Sequence, residues 1–241
     1  MLENWHSRTE LLIGENEVKK LSNKHIFIAG VGGVGGYVAE MLARTGIGKL
    51  TILDNDIVSQ SNVNRQIIAL TSTVGKSKIK LISSRLKDIN PNIEIIEKEV
   101  YLNYENIDEI LSEQYDYVVD AIDTLSPKIS LIKASLEKNL KLISSMGAGA
   151  KLHPEKVTVT DISKTYNDNL ARILRKRLHR IGIRSGFKAV FSPEEVIKSA
   201  IKTIDFDTDE NKRSVLGSIS YMPSVFGIHI AAEIINDFIN E

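Results

Sequence analysis

The chain has 241 residues, of which 42% are hydrophobic and 26% are charged, a composition that is ordinary for a globular protein with a sizeable core. Its 31 basic and 31 acidic side chains give a formal net charge of zero, which excludes binding of nucleic acid through overall charge and leaves that role to a local basic patch. Cysteine is absent, which excludes disulfides, thiolate nucleophiles and zinc or iron–sulfur sites with cysteine ligands.

The first quarter of the chain has the pattern of a nucleotide-binding fold. A polar opening segment, in which Arg8 is interpreted as a solvated charge, predicts one or two short helices. An apolar run at 26–29, a glycine cluster at 30–36, apolar residues at helical spacing and a second apolar run at 50–53 follow. This order predicts strand, tight turn, helix and strand. It indicates an α/β protein with a Rossmann-like, doubly wound, mostly parallel sheet.

The glycine cluster predicts a phosphate site. Gly30, Gly32, Gly33 and Gly35 allow a sharp turn and let a phosphate approach main-chain N–H groups at a helix start. Asp54, which ends the second strand, is placed to accept hydrogen bonds from ribose hydroxyls. The same pattern fits NAD, so these residues leave the identity of the nucleotide open.

A polar segment after the second strand adds candidate ligands. Asp56, Asn62, Arg65 and Gln66 can all bond to phosphate, ribose or metal. Apolar residues at helical spacing from Ile79 to Ile89 predict a helix that ends at Asn90 and Pro91. Lys76 and Lys78 are expected in its first turn, where positive charge opposes the helix dipole. A bound anion would relieve that conflict.

Asp123 is a candidate magnesium ligand. It follows an apolar run at 115–119 that predicts a fourth strand. Ligands of open α/β sheets bind at the carboxyl ends of the strands, so Asp123 should face the crevice of the glycine cluster. An acidic residue there can hold a magnesium ion on the phosphates of a nucleotide. Capping of the helix predicted to follow is an equally good local role.

The second half of the chain is less regular and contains a strongly basic helix. We divide the chain into a nucleotide-binding region, 1–150, and a substrate-binding and C-terminal region, 151–241, of the same domain. The predicted features are strands at 140–144, 157–162 and 187–191, a small-residue turn at 146–150, a basic helix at 170–183, an exposed loop at 205–212 and an apolar helix at 223–239.

The basic helix is a candidate contact for a phosphate backbone. Ile173, Leu174, Leu178 and Ile181 are expected on one face, which leaves the other face to cations. The candidate cations are Arg172, Arg175, Lys176, Arg177 and Arg180. An ordinary solvated face remains the alternative.

Five motifs in register extend this pattern beyond the glycine cluster. In order and spacing they resemble the adenylation domain of the ubiquitin-activating-enzyme-like family, which binds ATP and magnesium, adenylates a carboxylate and releases pyrophosphate. The motifs are the glycines of 30–35, the acids Asp54 and Asp56, the segment 61–66, the segment 75–78 and the segment 120–124. The resemblance favours ATP over NAD.

The second half resembles one branch of that family, the tRNA threonylcarbamoyladenosine dehydratases. The likeness rests on segments 121–123, 147–149, 157–165 and 190–192 and on the basic helix. It implies ATP-dependent adenylation of the threonyl carboxylate of the modified adenosine in tRNA, followed by cyclisation to a hydantoin. The alternative is a relative that adenylates the C-terminal Gly-Gly of a small sulfur-carrier protein.

The resemblance also implies roles for individual residues. Asp54 would bind the ribose, and Asn62, Arg65 and Lys78 would bind the phosphates as pyrophosphate leaves. Asp123 would hold Mg²⁺, and Arg8 would reach the phosphates of the neighbouring subunit in a homodimer.

One position departs from the family pattern. Some dehydratases of the branch have a cysteine just before the Val-Phe-Ser segment, where this chain has Ala189. A persulfide or thioester step is therefore excluded. Sulfur-trafficking proteins remain candidate partners, and the sequence leaves open whether a monovalent cation orders the turn at 146–150.

The expected location is the cytoplasm, because the chain shows neither a signal-peptide pattern nor an apolar run of membrane-spanning length. A weak membrane contact through the last helix is the alternative.

Overall fold

The computed structural model describes residues 5–203 and 214–241 of the chain. Its helices agree closely with the apolar periodicity of the sequence. They are α1 (Ser7–Ile13), α2 (Glu15–Leu21), α3 (Gly35–Thr45), α4 (Lys78–Ile89), α5 (Ile107–Ile110), α6 (Leu125–Glu137), α7 (Asn169–Arg180) and α8 (Tyr221–Ile239).

Seven of the nine strands of the described residues form one sheet, in the order β3-β2-β1-β4-β5-β7-β6. All neighbouring pairs are parallel except β6 and β7. The remaining two strands, β8 and β9, form a small antiparallel ribbon. The strands are β1 (His25–Ala29), β2 (Lys49–Leu53), β3 (Glu94–Lys98), β4 (Tyr117–Asp120), β5 (Leu142–Ser145), β6 (Thr158–Asp161), β7 (Lys188–Phe191), β8 (Ile201–Thr203) and β9 (Ser214–Leu216).

Both faces of the large sheet are covered, and β1 illustrates how. Its side chains alternate between faces. Ile26 and Ile28 belong to a core shared with α3, α4 and α8, whereas Phe27 and Ala29 belong to a second core shared with α5, α6 and α7. Strands buried on both sides explain why the sequence shows continuous apolar runs rather than alternation.

The strand order reverses between β1 and β4. From β1 the chain proceeds outward to β2 and β3, and it then returns to β4 on the other side. The loops that leave the carboxyl ends of β1 and β4 therefore diverge and leave a crevice, which is where open α/β sheets bind ligands. The glycine cluster follows β1 and Asp123 follows β4, so the crevice brings them together.

The last helix packs closely on the helix that follows the glycine cluster. At Gly227 in α8, an added Cβ atom would lie 2.7 Å from the Val34 carbonyl oxygen and 2.8 Å from the Tyr37 Cβ. Only glycine permits such an approach between α8 and α3 without displacing one of them. Helix α8 thus packs directly against the start of α3.

The structure confirms the predicted α/β fold and adjusts some details. Ile181 lies beyond the end of α7 and is 48% exposed, so it does not complete the apolar face of that helix. The loop predicted at 205–212 lies outside the described residues. Within the described parts of the chain, no helix has the length and apolarity to span a bilayer.

Candidate active site

The glycine cluster turns so tightly that side chains are sterically excluded from it. Gly30 has a φ of +88°, and an added Cβ would lie 2.9 Å from the carbonyl oxygen of Ala121, just beyond β4. A Cβ at Gly35 would lie 1.8 Å from the Gly30 carbonyl oxygen. The turn delivers the chain directly into α3. The N–H groups of Gly36, Tyr37 and Val38 donate to the carbonyl oxygens of Gly32 and Val34, whereas those of Gly32, Gly33 and Gly35 have no acceptor among the described residues. This end of α3 is therefore suited to bind an anion.

Asp54 braces the turn from the neighbouring strand. Its Oδ2 accepts a hydrogen bond from Val31 N at 2.9 Å, and its Oδ1 accepts one from Asp56 N at 2.9 Å. Burial raises the pKa of Asp54, although Lys78 and these hydrogen bonds oppose that effect. Each carboxylate oxygen retains a second lone pair. Asp54 can therefore accept a hydrogen bond from a ribose, as the sequence predicts, while it also holds the loop. The second role was not predicted.

Lys78 is the first residue of α4 and is buried. Its ammonium donates to Asp56 Oδ2 at 2.7 Å, and its backbone N–H donates to the Asp56 carbonyl oxygen at 3.1 Å. Asp56 therefore supplies the negative charge that the start of α4 requires. Lys76 precedes the helix and Ser77 is its N-cap, so the prediction that Lys76 lies in the first turn is wrong.

Arg65 and Gln66 lie against the glycine cluster. A Cβ on Gly33 would be 3.5 Å from Arg65 Cγ, and a Cβ on Gly32 would be 3.6 Å from Gln66 Nε2. Gln66 Oε1 is buried and has no hydrogen-bond partner among the described residues. Buried acceptors are normally satisfied, so this oxygen is suited to a donor on a bound ligand.

Local hydrogen bonds fix the segment that carries these residues. Asn62 is buried, and its side-chain oxygen accepts from Ser59 N at 3.1 Å. Arg65 Nη1 donates to the Ser61 carbonyl oxygen at 2.9 Å and to Asn64 Oδ1 at 3.0 Å. The guanidinium has five donors, so its remaining N–H groups can still bind a phosphate.

Asp123 is exposed beyond the carboxyl end of β4. Helix α6 begins with Thr124 as its N-cap, so Asp123 does not occupy the cap position considered from the sequence. Within the ranges that the structure describes, no group of three or more acidic or histidine side chains could hold a metal by itself. A metal at Asp123 would therefore need oxygen atoms from a ligand.

A buried ion pair lies directly behind this loop. Lys128 Nζ donates to Asp120 Oδ2 at 2.6 Å, to Ser144 Oγ at 3.1 Å and to the Ser145 carbonyl oxygen at 3.0 Å. Asp120 Oδ1 accepts from Ile122 N at 3.2 Å. Both charged side chains are fully buried. The pair therefore joins the ends of β4 and β5 to the loop of Asp123. Lys128 was not among the residues predicted from the sequence to belong to the site.

A second buried pair anchors the basic helix. Lys151 Nζ donates to Asp168 Oδ2 at 2.8 Å and to the Ser192 carbonyl oxygen at 2.6 Å. Asp168 is the N-cap of α7 and accepts from Ala171 N at 2.8 Å. A Cβ on Gly147 would lie 3.3 Å from Asp168 Oδ2. The small-residue turn and the start of α7 are therefore in direct contact.

The cations of α7 divide into two groups. Arg172, Lys176, Arg177 and Arg180 are exposed, whereas Arg175 is half-buried and donates a hydrogen bond to Thr165 Oγ1. The helix buries Ala171, Leu174 and Leu178. Of the five cations predicted to contact nucleic acid, Arg175 alone has a side-chain hydrogen bond to another described residue.

Arg8 is exposed on α1 and has no hydrogen-bond or ion-pair partner within residues 5–203 and 214–241. Two leucines of the same helix, Leu11 and Leu12, are 75% and 84% exposed. The structure thus leaves Arg8 as a surface residue of the single chain.

Comparison with known proteins agrees with this arrangement. The ThiF family model matches residues 6–240. The chain is 38% identical over 240 residues to the tRNA threonylcarbamoyladenosine dehydratase of Bacillus subtilis, which covers 98% of this chain and 94% of that protein. An adenylyltransferase and sulfurtransferase of Zea mays is 36% identical over 146 residues, but this match covers only 60% of the chain and 31% of the relative.

Solved structures give the same result. The crystal structure of the Escherichia coli tRNA N6-threonylcarbamoyladenosine dehydratase in complex with ATP matches with a TM-score of 0.88 and 31% identity, and covers 100% of this chain and 97% of that one. The corresponding complex with AMP matches with a TM-score of 0.87. From sequence and fold together, the chain belongs to the ThiF family and, within it, to the tRNA threonylcarbamoyladenosine dehydratases.

Proposed function

We propose that this chain uses ATP to convert the threonylcarbamoyladenosine of tRNA into its cyclic hydantoin form, releasing AMP and pyrophosphate. The observation that carries the proposal is the crevice between β1 and β4, where the glycine cluster lies against Arg65, Gln66 and the start of the loop of Asp123, in a chain that matches a dehydratase over 98% of its length. The proposed place of action is the cytoplasm.

The chemistry follows from the poor reactivity of a free carboxylate. An oxygen of the threonyl carboxylate attacks the α-phosphorus of ATP, and pyrophosphate leaves. The urea nitrogen of the same substrate then attacks the acyl carbon, and AMP leaves with the former carboxylate oxygen while the nitrogen loses its proton. The nucleoside thus loses the elements of one water molecule, and the conversion of ATP to AMP and pyrophosphate supplies the free energy for ring closure.

The residues of the crevice divide the nucleotide between them. Gly30, Gly32, Gly33 and Gly35 let the phosphates approach the start of α3, and Asp54 accepts from the ribose. Gln66 offers a buried acceptor for which the described residues provide no donor. Asp56 contributes by holding Lys78.

Arg65, Asn62 and Lys78 supply donors for the charge that develops as pyrophosphate leaves. Lys78 donates to Asp56 at 2.7 Å, and an ammonium has three donors, so it can bind a phosphate without abandoning the carboxylate. Its burial strengthens that contact, because charges interact more strongly away from water.

Asp123 fits a magnesium ion that is shared with the phosphates. Mg²⁺ is usually bound by one or two carboxylates together with substrate phosphates, and Asp123 is an exposed carboxylate at the correct end of the sheet. The ion would neutralise phosphate charge. A monovalent cation at the turn 146–150 stays a prediction.

The active unit that we propose is a homodimer in which Arg8 reaches the phosphates of the neighbouring subunit. Its support is the exposure of Arg8 beside Leu11 and Leu12 on α1, two apolar side chains that a second copy would cover. Sulfur-trafficking proteins remain candidate binding partners. They could not transfer sulfur to a cysteine of this chain, because it has none.

The tRNA would be held by the second region, 151–241, and ATP by the first, 1–150. The exposed cations Arg172, Lys176 and Arg180 recur every four residues and form a stripe along α7, with Arg177 beside it. The helix contains no acidic residue. Such a stripe suits a phosphate backbone.

The test is mass analysis of nucleosides from tRNA bearing threonylcarbamoyladenosine after incubation with the protein and Mg²⁺, with and without ATP. We expect loss of one water from that nucleoside only with ATP, together with AMP. Arg65→Ala and Asp123→Asn should abolish turnover but leave the thermal transition unchanged, whereas Asp108→Asn, which alters another exposed carboxylate, should behave as the wild type. Full turnover by either site variant would refute the assignment.

The alternative substrate is the C-terminal Gly-Gly of a small sulfur-carrier protein, favoured only by the match to the plant adenylyltransferase over 60% of the chain. ATP–pyrophosphate exchange that responds to such a protein, and not to tRNA, would establish it in place of the dehydratase reaction.

A further inference from the structure

An exposed aromatic ring lies at the foot of the basic helix. Tyr166 is 57% exposed, although its ring forms a T-shaped pair with Phe191 of β7, with the ring centres 5.6 Å apart and the planes at 71°. The contact with Phe191 therefore ties the ring to the core, while much of the surface of Tyr166 remains open to solvent.

The chain on both sides of Tyr166 is clamped. On one side, Thr165 is buried, and its Oγ1 donates to the Ile162 carbonyl oxygen at 2.8 Å and accepts from Arg175. On the other side, Asp168 is held by Lys151 and by the first turn of α7. The ring is thus presented by a loop with little freedom.

The backbone between the clamps supports the same interpretation. Asn167 has a φ of +53°, a left-handed conformation that only a few residue types, asparagine among them, adopt readily. A short αL step of this kind turns the loop sharply between Tyr166 and the N-cap of α7. The loop is held on both sides of Tyr166, and its backbone conformation is restricted at Asn167. Little conformational entropy is therefore lost when a ligand contacts the ring.

The cations that follow Tyr166 along the chain indicate the class of ligand that the ring would contact. The exposed stripe Arg172, Lys176 and Arg180 begins in the first turn of α7, four residues beyond the clamp at Asp168, and successive cations along it are about 6 Å apart. Cations that can follow a phosphate backbone, next to a rigid aromatic face, are the combination with which proteins bind unpaired nucleotides. Double-helical RNA is instead recognised through its shape, its phosphates and its 2′-hydroxyls.

We propose that Tyr166 is a stacking platform for an unpaired base of the RNA substrate, held beside the phosphates that the stripe on α7 binds. The inference rests on the proposed function, because it presupposes that RNA is the substrate. It adds a contact that favours an unpaired nucleotide over a paired one, which the cations cannot provide since paired and unpaired strands both carry phosphates. Arg175 would contribute indirectly, as a positioning residue that holds Thr165.

The experiment measures binding of a short anticodon stem-loop RNA, and of a fully paired RNA of equal length, by fluorescence anisotropy. Tyr166→Ala should weaken binding of the stem-loop by about tenfold to a hundredfold, as expected for the loss of one stacked base. Binding of the paired RNA should not change. Tyr166→Phe should bind the stem-loop as the wild type does, whereas Tyr166→Leu, which keeps apolar bulk without a π face, should resemble Tyr166→Ala.

Two controls make the result decisive. Tyr104 is 78% exposed outside α7, so Tyr104→Ala should leave RNA binding unchanged. Thermal unfolding of each variant reports whether the packing on Phe191 is lost. Stem-loop binding by a folded Tyr166→Ala within twofold of the wild type, or equal binding by the Leu and Phe variants, would overturn the proposal. A wild-type protein that neither binds nor modifies tRNA would instead overturn the proposed function, and the two failures are therefore distinct.

Discussion

The buried pair of Lys128 and Asp120 allows a sharp test of what fixes the loop of Asp123. Lys128→Met keeps most of the side-chain volume but removes the ammonium and its three hydrogen bonds. Asp120 would then be a fully buried carboxylate without its cation. Removing one partner of such a pair costs about 3–5 kcal/mol, a large part of the roughly 5–15 kcal/mol that stabilises an ordinary domain.

Urea denaturation followed by circular dichroism measures this cost. With a urea m-value of about 2–3 kcal/mol/M, the midpoint should fall by about 1–2.5 M. The double variant Asp120→Asn with Lys128→Met should be more stable than Lys128→Met alone by about 1–3 kcal/mol, because it no longer leaves a buried charge unpaired.

Helix α6 supplies the matched control. Lys133 pairs with Glu137 at 3.7 Å, and both side chains are more than half exposed. Lys133→Met should change the free energy of unfolding by no more than about 0.5 kcal/mol. A loss below about 1 kcal/mol for Lys128→Met, or a double variant no more stable than the single one, would refute the reasoning.

Three further predictions test other parts of the structure. Gly30→Ala should be more destabilising than Gly14→Ala in urea denaturation and should also weaken ATP binding, because both glycines have a left-handed φ but only Gly30 faces a backbone atom at 2.9 Å; equal costs would show that the close approach is unimportant. Burial lowers the pKa of His25 from its ordinary value of 6.5, so the folded state binds the proton less readily than the unfolded chain and stability should decrease as the pH falls below 6.5. His25→Gln should reduce that decrease between about pH 7.5 and 5, and identical pH profiles would contradict the argument. Lys151→Met removes the anchor of Asp168 and should raise KM for tRNA more than KM for ATP in steady-state turnover; an equal rise in both would indicate general destabilisation instead.

The first part of the fold was predictable because local and global signals agree there. Glycines that must turn, apolar runs of strand length and helical periodicity all fall within 25–53, and the structure has β1, α3 and β2 at those positions. The strand at 157–162 was also predicted, but its antiparallel direction was not. Strand direction depends on how a connection crosses the sheet, and the local pattern of residues does not record it.

The buried lysines could not be recognised from the sequence. Lysine is almost always exposed, so Lys128 and Lys151 look like surface residues of their segments until the fold brings Asp120 and Asp168 to them. A partial signal existed for Asp120, since an acid that ends the otherwise apolar strand YVVD needs a partner. The separation of eight residues between Asp120 and Lys128 gives no such indication.

The approach of α8 to the start of α3 has a consequence for synthesis of the protein. The glycine cluster is made early, but the helix that supports it, with Gly227 against Val34 and Pro223 beside Gly33, is made only after all seven strands of the large sheet. A nascent chain that has completed β1 to β5 still lacks this support, and the part of α3 that contacts α8 stays uncovered until α8 has been made. We therefore expect the nucleotide to bind only once α8 has folded against α3, so that ATP would protect chains that include α8 from proteolysis but not chains arrested before Tyr221.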